Sequence, residues 1–394
     1  MDSLLVDPYR DTLARALDEL GRASRRRALT PVTPLDGMAV ERNGRRLVNF
    51  SSNDYLGLAR DPRLVPAGAG GSGATASRLV CGTLPVHQRL EEALAALKGT
   101  EAALSMGSGF QTNAAVLAAL LDPRAAGDAP RVFIDRLAHA SMYEGLRLAG
   151  VRAQRFRHND LGHLRELLER GGGTFRMILT ESVFSMDGDR ADLPALADLA
   201  AEHGAFLYVD EAHATGVLGA GGAGLCAEAG VKGRVDLVMG TFGKALGGYG
   251  AFVACDGVLV DWLVNTCRGF IFSTALPPPS AAAALAALEL LPRLDGERAR
   301  LSRHAERVRG ALRGLGIDTL ASDTQIVPAV LGSDAETLAG SRFLEERGVL
   351  AVGIRPPTVP PGTGRLRLAL SAAHTGEDLD LLLHALQGLG RAGA

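Results

Sequence analysis

Apolar residues recur along this 394-residue chain in short runs, with segments of helical spacing between them. From about residue 100 the runs are AALSM, VFID, MILTES, AFLYVD, VDLVMG and AFVAC, each of strand length. Strands alternating with helical segments predict an α/β fold with a mostly parallel sheet between helix layers. Ahead of this region Leu13, Leu17 and Leu20 fall at helical spacing, and a stretch containing Pro and Gly leads to a short strand ending at LVNF. Beyond it, PPPS at residues 277–280 precedes an Ala/Leu-rich helix. Strands at 326–331 and 365–370 and helices at 335–347 and 376–389 then predict a second, smaller α+β unit. The expected organisation is an N-terminal arm over residues 1–50, a large domain over 51–280 and a small C-terminal domain over 281–394.

Composition narrows the classes of function. The chain is 47% hydrophobic and 22% charged, which excludes disorder as its main state. With 42 Lys and Arg against 44 Asp and Glu it lacks the positive excess of a phosphate-backbone binder, so no nucleic-acid partner is expected. Cys81, Cys226, Cys255 and Cys267 form no CxxC pair, so neither a disulfide framework nor a metal site is expected. The N-terminus is acidic where a signal peptide needs a basic start, and the apolar run from Ala281 to Leu291 is too short to span a bilayer. A cytoplasmic protein with no membrane partner is the expectation.

Two G-x-G-x-x-G patterns, at Gly68, Gly70, Gly73 and at Gly219, Gly221, Gly224, lack the strand-to-helix context of a dinucleotide fingerprint and are read as loops. Polar residues placed just after the strands carry more information, because ligands of open parallel sheets bind outside the carboxyl ends of the strands. Gly107, Ser108, Gly109 and Phe110 follow AALSM, and His139 follows VFID. Ser185 follows MILTES, Asp210 and His213 end or follow AFLYV, and Thr241 and Lys244 follow VDLVMG.

Singly, each has an ordinary explanation as a cap, a loop hydroxyl or a solvated lysine. Jointly they offer a glycine turn at a helix start suited to a phosphate, a lysine among small and apolar neighbours suited to a Schiff base, and a buried carboxylate in want of a cation. Pyridoxal 5'-phosphate requires these three parts.

The same residues carry a family resemblance. NFSSNDYLGLA, SRLVCGTLPVHQRLE, DRLAHAS, HNDLGHL, TESVFSMDGD, VDEAHATGVLG, TFGKALGG, FSTALPP and IRPPTVPPGTGRLRL occur in this order. With them the chain resembles the α-oxoamine synthases among the fold-type I pyridoxal-phosphate-dependent transferases, from Asn49 to near its end. The resemblance implies a large domain built on a mostly parallel seven-stranded sheet, a smaller α+β domain and a homodimer with active sites at the subunit interface. It implies that Lys244 forms the Schiff base, that Asp210 faces the pyridine nitrogen and that His139 covers the ring. His213 and Ser185 would lie by the ring's phenolic oxygen, Gly109, Phe110 and Thr241 would hold the phosphate, and Ser273 and Thr274 would reach the neighbouring subunit's phosphate.

Members of this family condense an amino acid with an acyl thioester. IRPPTVPPGTGRLRL and NFSSNDYLGL are most similar to the members that use L-alanine and a pimeloyl thioester, carried on CoA or acyl carrier protein. By this resemblance Thr358 and Asn53 contact substrate, Arg367 grips the amino acid carboxylate, His139 meets the acyl carbonyl, and either Arg27 or Arg25 meets the acyl group. Members using glycine with acetyl-CoA or succinyl-CoA share every cofactor residue and stand as the alternative. A non-catalytic subunit or regulatory module on the same fold is the reading from another class, and the presence of Lys244 counts against the first of these. Between DPRLV and SRLVCG the family carries a longer helix than PAGAGGSGATA allows, so a surface helix is expected to be missing.

Overall fold

The computed structural model describes residues 7–65, 71–173 and 175–392. Gly68 and Gly70 of the first glycine pattern, with residues 66–70 of the shortened segment 66–76, lie outside the described residues. Contacts divide the chain into two compact units. The larger comprises Asn53–Ser185 with Asp189–Ser302, and the smaller Met1–Ser52, Met186–Gly188 and Arg303–Ala394.

The larger unit is built on seven strands: β1 (Ala102–Met106), β2 (Arg131–Asp135), β3 (Gln154–Phe156), β4 (Arg176–Glu181), β5 (Phe206–Asp210), β6 (Leu237–Thr241) and β7 (Ala251–Cys255). Their order is β1-β7-β6-β5-β4-β2-β3. Only β7 runs against its neighbours, pairing antiparallel with both β1 and β6. The carboxyl ends of β1, β2, β4, β5 and β6 therefore share one edge, as the strand-helix alternation predicts. The strands are buried on both faces, which is why their sequences read as continuous apolar runs. Strand β3 escapes sequence inspection because it has three residues, two of them polar.

Helix α1 spans Pro85–Lys98, α2 Gly109–Leu120 and α3 Ala140–Ala149. Ser108 caps α2 by accepting from the Gln111 N–H, and the His139 ring caps α3 by accepting from the Ser141 N–H. The two helices pack closely because residue 145 is glycine: a Cβ there would stand 2.8 Å from both the Asn113 carbonyl oxygen and the Leu117 Cβ. Val116, Leu117, Met142 and Leu146 join Val132, Ile134, Leu179, Tyr208 and Met239 in one buried cluster beneath these helices. The loop after β5 is pinned from below, where Lys98 Nζ donates to Glu211 Oε2 at 2.7 Å, to Thr215 Oγ1 and to the Ala223 carbonyl. Gly219, Gly221 and Gly224 lie in the loop that closes over this pair, not in a phosphate-binding strand-helix turn.

In the smaller unit the amphipathic helix Asp7–Arg22 forms as its spacing predicts, with Leu13, Leu17 and Leu20 on an exposed face. Ala39–Arg42 and Arg45–Asn49 make a hairpin, and Val349–Leu350 adds parallel to Val48 and Asn49. A separate sheet has the order Ile326–Gly332, Gly364–Ala369, Gly353–Ile354, beside the helices Asp334–Glu345 and Gly376–Ala392. Among the described residues no helix is long and apolar enough to cross a membrane. All four cysteines are free.

Candidate active site

At the shared strand edge the larger unit collects the residues that the sequence singles out. Lys244 stands in the tight loop after β6. That loop needs glycine at 247, where φ is +64° and a Cβ would press to 2.5 Å on the Leu58 carbonyl carbon. Thr241 Oγ1 donates to the Gly250 carbonyl at 2.8 Å and accepts from the Gly243 N–H at 3.2 Å, which stiffens the same loop. Gly109 and Phe110 form the first turn of α2, where N–H groups without an intrahelical partner make an anion-binding end. Ser273 Oγ accepts from Gln111 Nε2 at 2.8 Å, and the adjoining Thr274 bridges to Ser77.

Lys244 belongs to a hydrogen-bond chain whose direction can be assigned. Its Nζ lies 2.7 Å from His213 Nε2, His213 Nδ1 lies 2.7 Å from the Tyr55 hydroxyl, and that hydroxyl donates to Asn53 Oδ1 at 3.0 Å. The Asn53 oxygen can only accept, so the Tyr55 proton points to it. His213 Nδ1–H then donates to Tyr55, and the bare Nε2 accepts from Lys244. Tyr55 was not among the residues drawn from sequence. The LGL that follows it marks it as core, and its ring is fully buried.

Asp210 ends β5, is buried, and accepts from the Ala212 N–H and from Asn113 Nδ2, each at 2.8 Å. Among the described residues no cation forms an ion pair with it, although a buried carboxylate ordinarily has one. A protonated pyridine nitrogen is such a cation. The donor set therefore fits pyridoxal phosphate, with a carboxylate for the nitrogen, a lysine amine for the aldehyde and a helix end for the phosphate. The His139 ring opens to solvent on one side but is flanked closely enough that lost hydration holds its pKa below the usual value. Lys244 acts in the same sense and Asp210 against it, so both charges reach the ring.

Sequence inspection missed Glu181, which stands opposite Asp210 in the register of β4 and β5. It is 2% exposed, and its Oε1 has no hydrogen-bond partner among the described residues. Burial, and then the neighbouring Asp210, push its pKa well above the ordinary carboxyl value, against the opposing pull of Lys244 and the Ser185 backbone N–H. Its neutral form is thereby favoured in the fold. The folded state therefore retains a proton that the unfolded chain releases above about pH 4.3, so folding stability falls as pH rises from there to the folded pKa. Glu181→Gln removes that dependence. In urea titrations of the apoproteins the variant should gain on the wild type with rising pH, by at most about 1.4 kcal/mol per unit. Parallel pH profiles would contradict a raised Glu181 pKa.

The remaining residues singled out from sequence lie in the smaller unit. Arg367 is buried on the strand Gly364–Ala369, and Thr358 is exposed, with its N–H on the Arg355 carbonyl. Of the two N-terminal arginines, Arg25 is engaged by Asp334 at 2.8 Å, whereas Arg27 is exposed with no ion pair among the described residues. Arg355, which sequence inspection passed over, donates to the Ser24 carbonyl while its Nε has no partner among the described residues. Burial and then the charge of Arg27 hold the Arg355 pKa down, with Asp334 opposing, so the two guanidinium groups feel one another.

Over nearly its whole length the chain is similar to known proteins. The family model for class I and II aminotransferases matches residues 45–386. An 8-amino-7-oxononanoate synthase of Gluconacetobacter diazotrophicus is 52% identical over 397 residues, covering 98% of each chain. A Bordetella pertussis protein that bears this name provisionally is 58% identical, covering 96% of each. Among solved structures, a variant of serine palmitoyltransferase from S. paucimobilis with a bound PLP-myriocin aldimine superposes with a TM-score of 0.91 at 30% identity, over 99% of each chain. The chain thus belongs to the class I and II aminotransferases, a pyridoxal-phosphate-dependent fold family, and within it to the 8-amino-7-oxononanoate synthases.

Proposed function

We propose that this enzyme condenses L-alanine with a pimeloyl thioester, on acyl carrier protein or CoA, in the cytoplasmic synthesis of biotin. The product named by its relatives has the connectivity this reaction creates. The α-carbon of alanine joins the acyl carbon of the thioester, the thiol carrier leaves, and the alanine carboxylate departs as carbon dioxide. Bound pyridoxal phosphate supplies an aldehyde for an amine and a ring that takes up the electron pair left on the α-carbon.

The chain's own residues do the rest. Lys244 Nζ holds the cofactor, and once freed it takes the α-proton of alanine and returns one to the product. Asp210 keeps the ring nitrogen protonated. Its burial between two N–H donors, with no ion-paired cation among the described residues, is the observation that carries the reading. His213 and Ser185 serve the phenolic oxygen, Gly109, Phe110 and Thr241 the phosphate, and Ser273 and Thr274 the phosphate of a second subunit in a homodimer. His139 steadies the acyl carbonyl oxygen as negative charge grows there. Arg367 takes the alanine carboxylate in a two-pronged contact, with Asn53 and Thr358 as polar contacts to substrate. Arg27 is favoured over Arg25 for the acyl group because Asp334 already engages Arg25.

Mass spectrometry of the product tests the proposal against the glycine-using alternative. Alanine with pimeloyl-CoA or pimeloyl-acyl carrier protein should give 8-amino-7-oxononanoate. Replacing alanine by glycine should cost roughly tenfold or more in rate, the discrimination that one methyl group provides. Faster turnover of glycine with acetyl-CoA or succinyl-CoA would overturn the assignment.

A further inference from the structure

Asn113 lies on the second turn of α2, 1% exposed, with its amide nitrogen between two acceptors. Nδ2 donates to Asp210 Oδ2 at 2.8 Å and to Ser141 Oγ at 2.9 Å. On its other side, Oδ1 accepts from the Tyr208 hydroxyl at 2.7 Å. Turning the amide over would set its oxygen against the Asp210 carboxylate, so the orientation is determined. The direction continues outward. The Ser141 backbone N–H donates to His139 Nδ1 at 3.3 Å, so that nitrogen is bare; it takes the Ser141 Oγ proton as well, 2.7 Å away, and the imidazole's other nitrogen, Nε2, carries the N–H. A chain running Tyr208, Asn113, Ser141, His139 thus branches at Asn113 to Asp210.

We infer that Asn113 is a positioning residue: one buried amide fixes both the carboxylate that faces the cofactor's ring nitrogen and the tautomer of the histidine that covers its ring. The inference rests on the cofactor reading of Asp210 given above. It explains why a polar side chain sits in the otherwise apolar packing of α2 against α3 and β5. Asp210 holds its place through Asn113 and the Ala212 N–H. Among the described residues the ionisable groups in its field include Glu181 on β4, Tyr208 on β5, His139 and Lys244. With Nδ1 committed to Ser141, His139 presents an N–H donor at Nε2, the form that can hydrogen-bond a developing oxyanion.

Titration of the apoproteins with pyridoxal phosphate, followed by absorbance, reads the role without turnover. A hydrogen bond to a charged group is lost in Asn113→Ala, so affinity should weaken by about tenfold or more. The pH midpoint of the bound cofactor's visible absorbance should move by about half a unit or more, a change that loss of packing alone does not produce. In an Asp210→Asn background, adding Asn113→Ala should cost less than about twofold in affinity, because the two act through one contact.

Tyr208→Phe keeps the ring and removes only the hydroxyl that orients the amide, so it should move both readouts in the same direction by a smaller amount. It decides the matter if Asn113→Ala does not fold. Folded variants with wild-type affinity and spectral midpoint, or fully additive losses in the double variant, would overturn the inference. If Asp210→Asn itself left both readouts unchanged, the cofactor reading would fail instead.

Discussion

Lys244→Ala is expected to fold, to retain no cofactor after borohydride treatment followed by unfolding, and to lose at least about a thousandfold in turnover, since it removes the covalent nucleophile and the proton carrier together. Wild-type protein treated in the same way should keep the cofactor attached, and peptide mapping should place it at Lys244. Two features of the fold support so large an effect. The loop holding Lys244 is fixed by Thr241 and by the close approach of Gly247 to the chain at Leu58, and the other two lysines of the chain are engaged elsewhere, Lys98 by Glu211 and Lys232 by the Leu97 carbonyl. The His213, Tyr55 and Asn53 chain directs an acceptor at the amine, so the nitrogen is located as well as available. Loss of Lys244 leaves His213 able to accept a proton but unable to form the covalent link. Trapping of the cofactor in the variant at the wild-type level would exclude Lys244 as the tether.

Much of this site is legible in the sequence because its reactive residues interrupt an apolar rhythm. Asp210 closes the run Phe, Leu, Tyr, Val, and Lys244 follows the run Leu, Val, Met, Gly by way of Thr241, and so both stand out as polar residues at strand ends. Asn113, Ser141 and Tyr208 do not stand out. They lie within a helix or strand and read as ordinary core or surface positions until the chain is folded, when three distant segments place them within hydrogen-bond reach. Glu181 also ends its strand, but it stands between Thr180 and Ser182, so no single polar interruption of an apolar run marks it. Parts of the fold are illegible for a related reason. The antiparallel sense of AFVAC and the pairing of Val349–Leu350 with Val48 and Asn49 depend on contacts remote in sequence, which local periodicity does not encode. In Gln154–Phe156, too few residues alternate to give any period.

His158→Gln should destabilise the protein by about 3–5 kcal/mol near neutral pH, the cost of removing one member of a buried charge cluster. The imidazole is clasped by two carboxylates: Nδ1 lies 3.0 Å from Asp135 Oδ1 and Nε2 lies 2.8 Å from Asp189 Oδ2. Burial alone would lower its pKa, but the hydrogen bonds and charges of Asp135 and Asp189 outweigh it and raise the value to about 10. The sign follows from a folded pKa above the unfolded one of about 6.5: the imidazolium's contribution is fully present below about pH 6.5 and is lost as pH rises through about 10. Urea unfolding of wild type and variant should show a wide gap at pH 6 that narrows by pH 10, whereas a constant gap would mean that shape, not charge, holds the site. The consequence reaches the chemistry. Asp135 ends β2, its Oδ1 accepts from the Leu137 N–H and its carbonyl from the Tyr143 hydroxyl, so it sets the turn from which His139 enters α3. A variant that frees Asp135 should therefore displace His139 and slow turnover even under conditions where it remains folded.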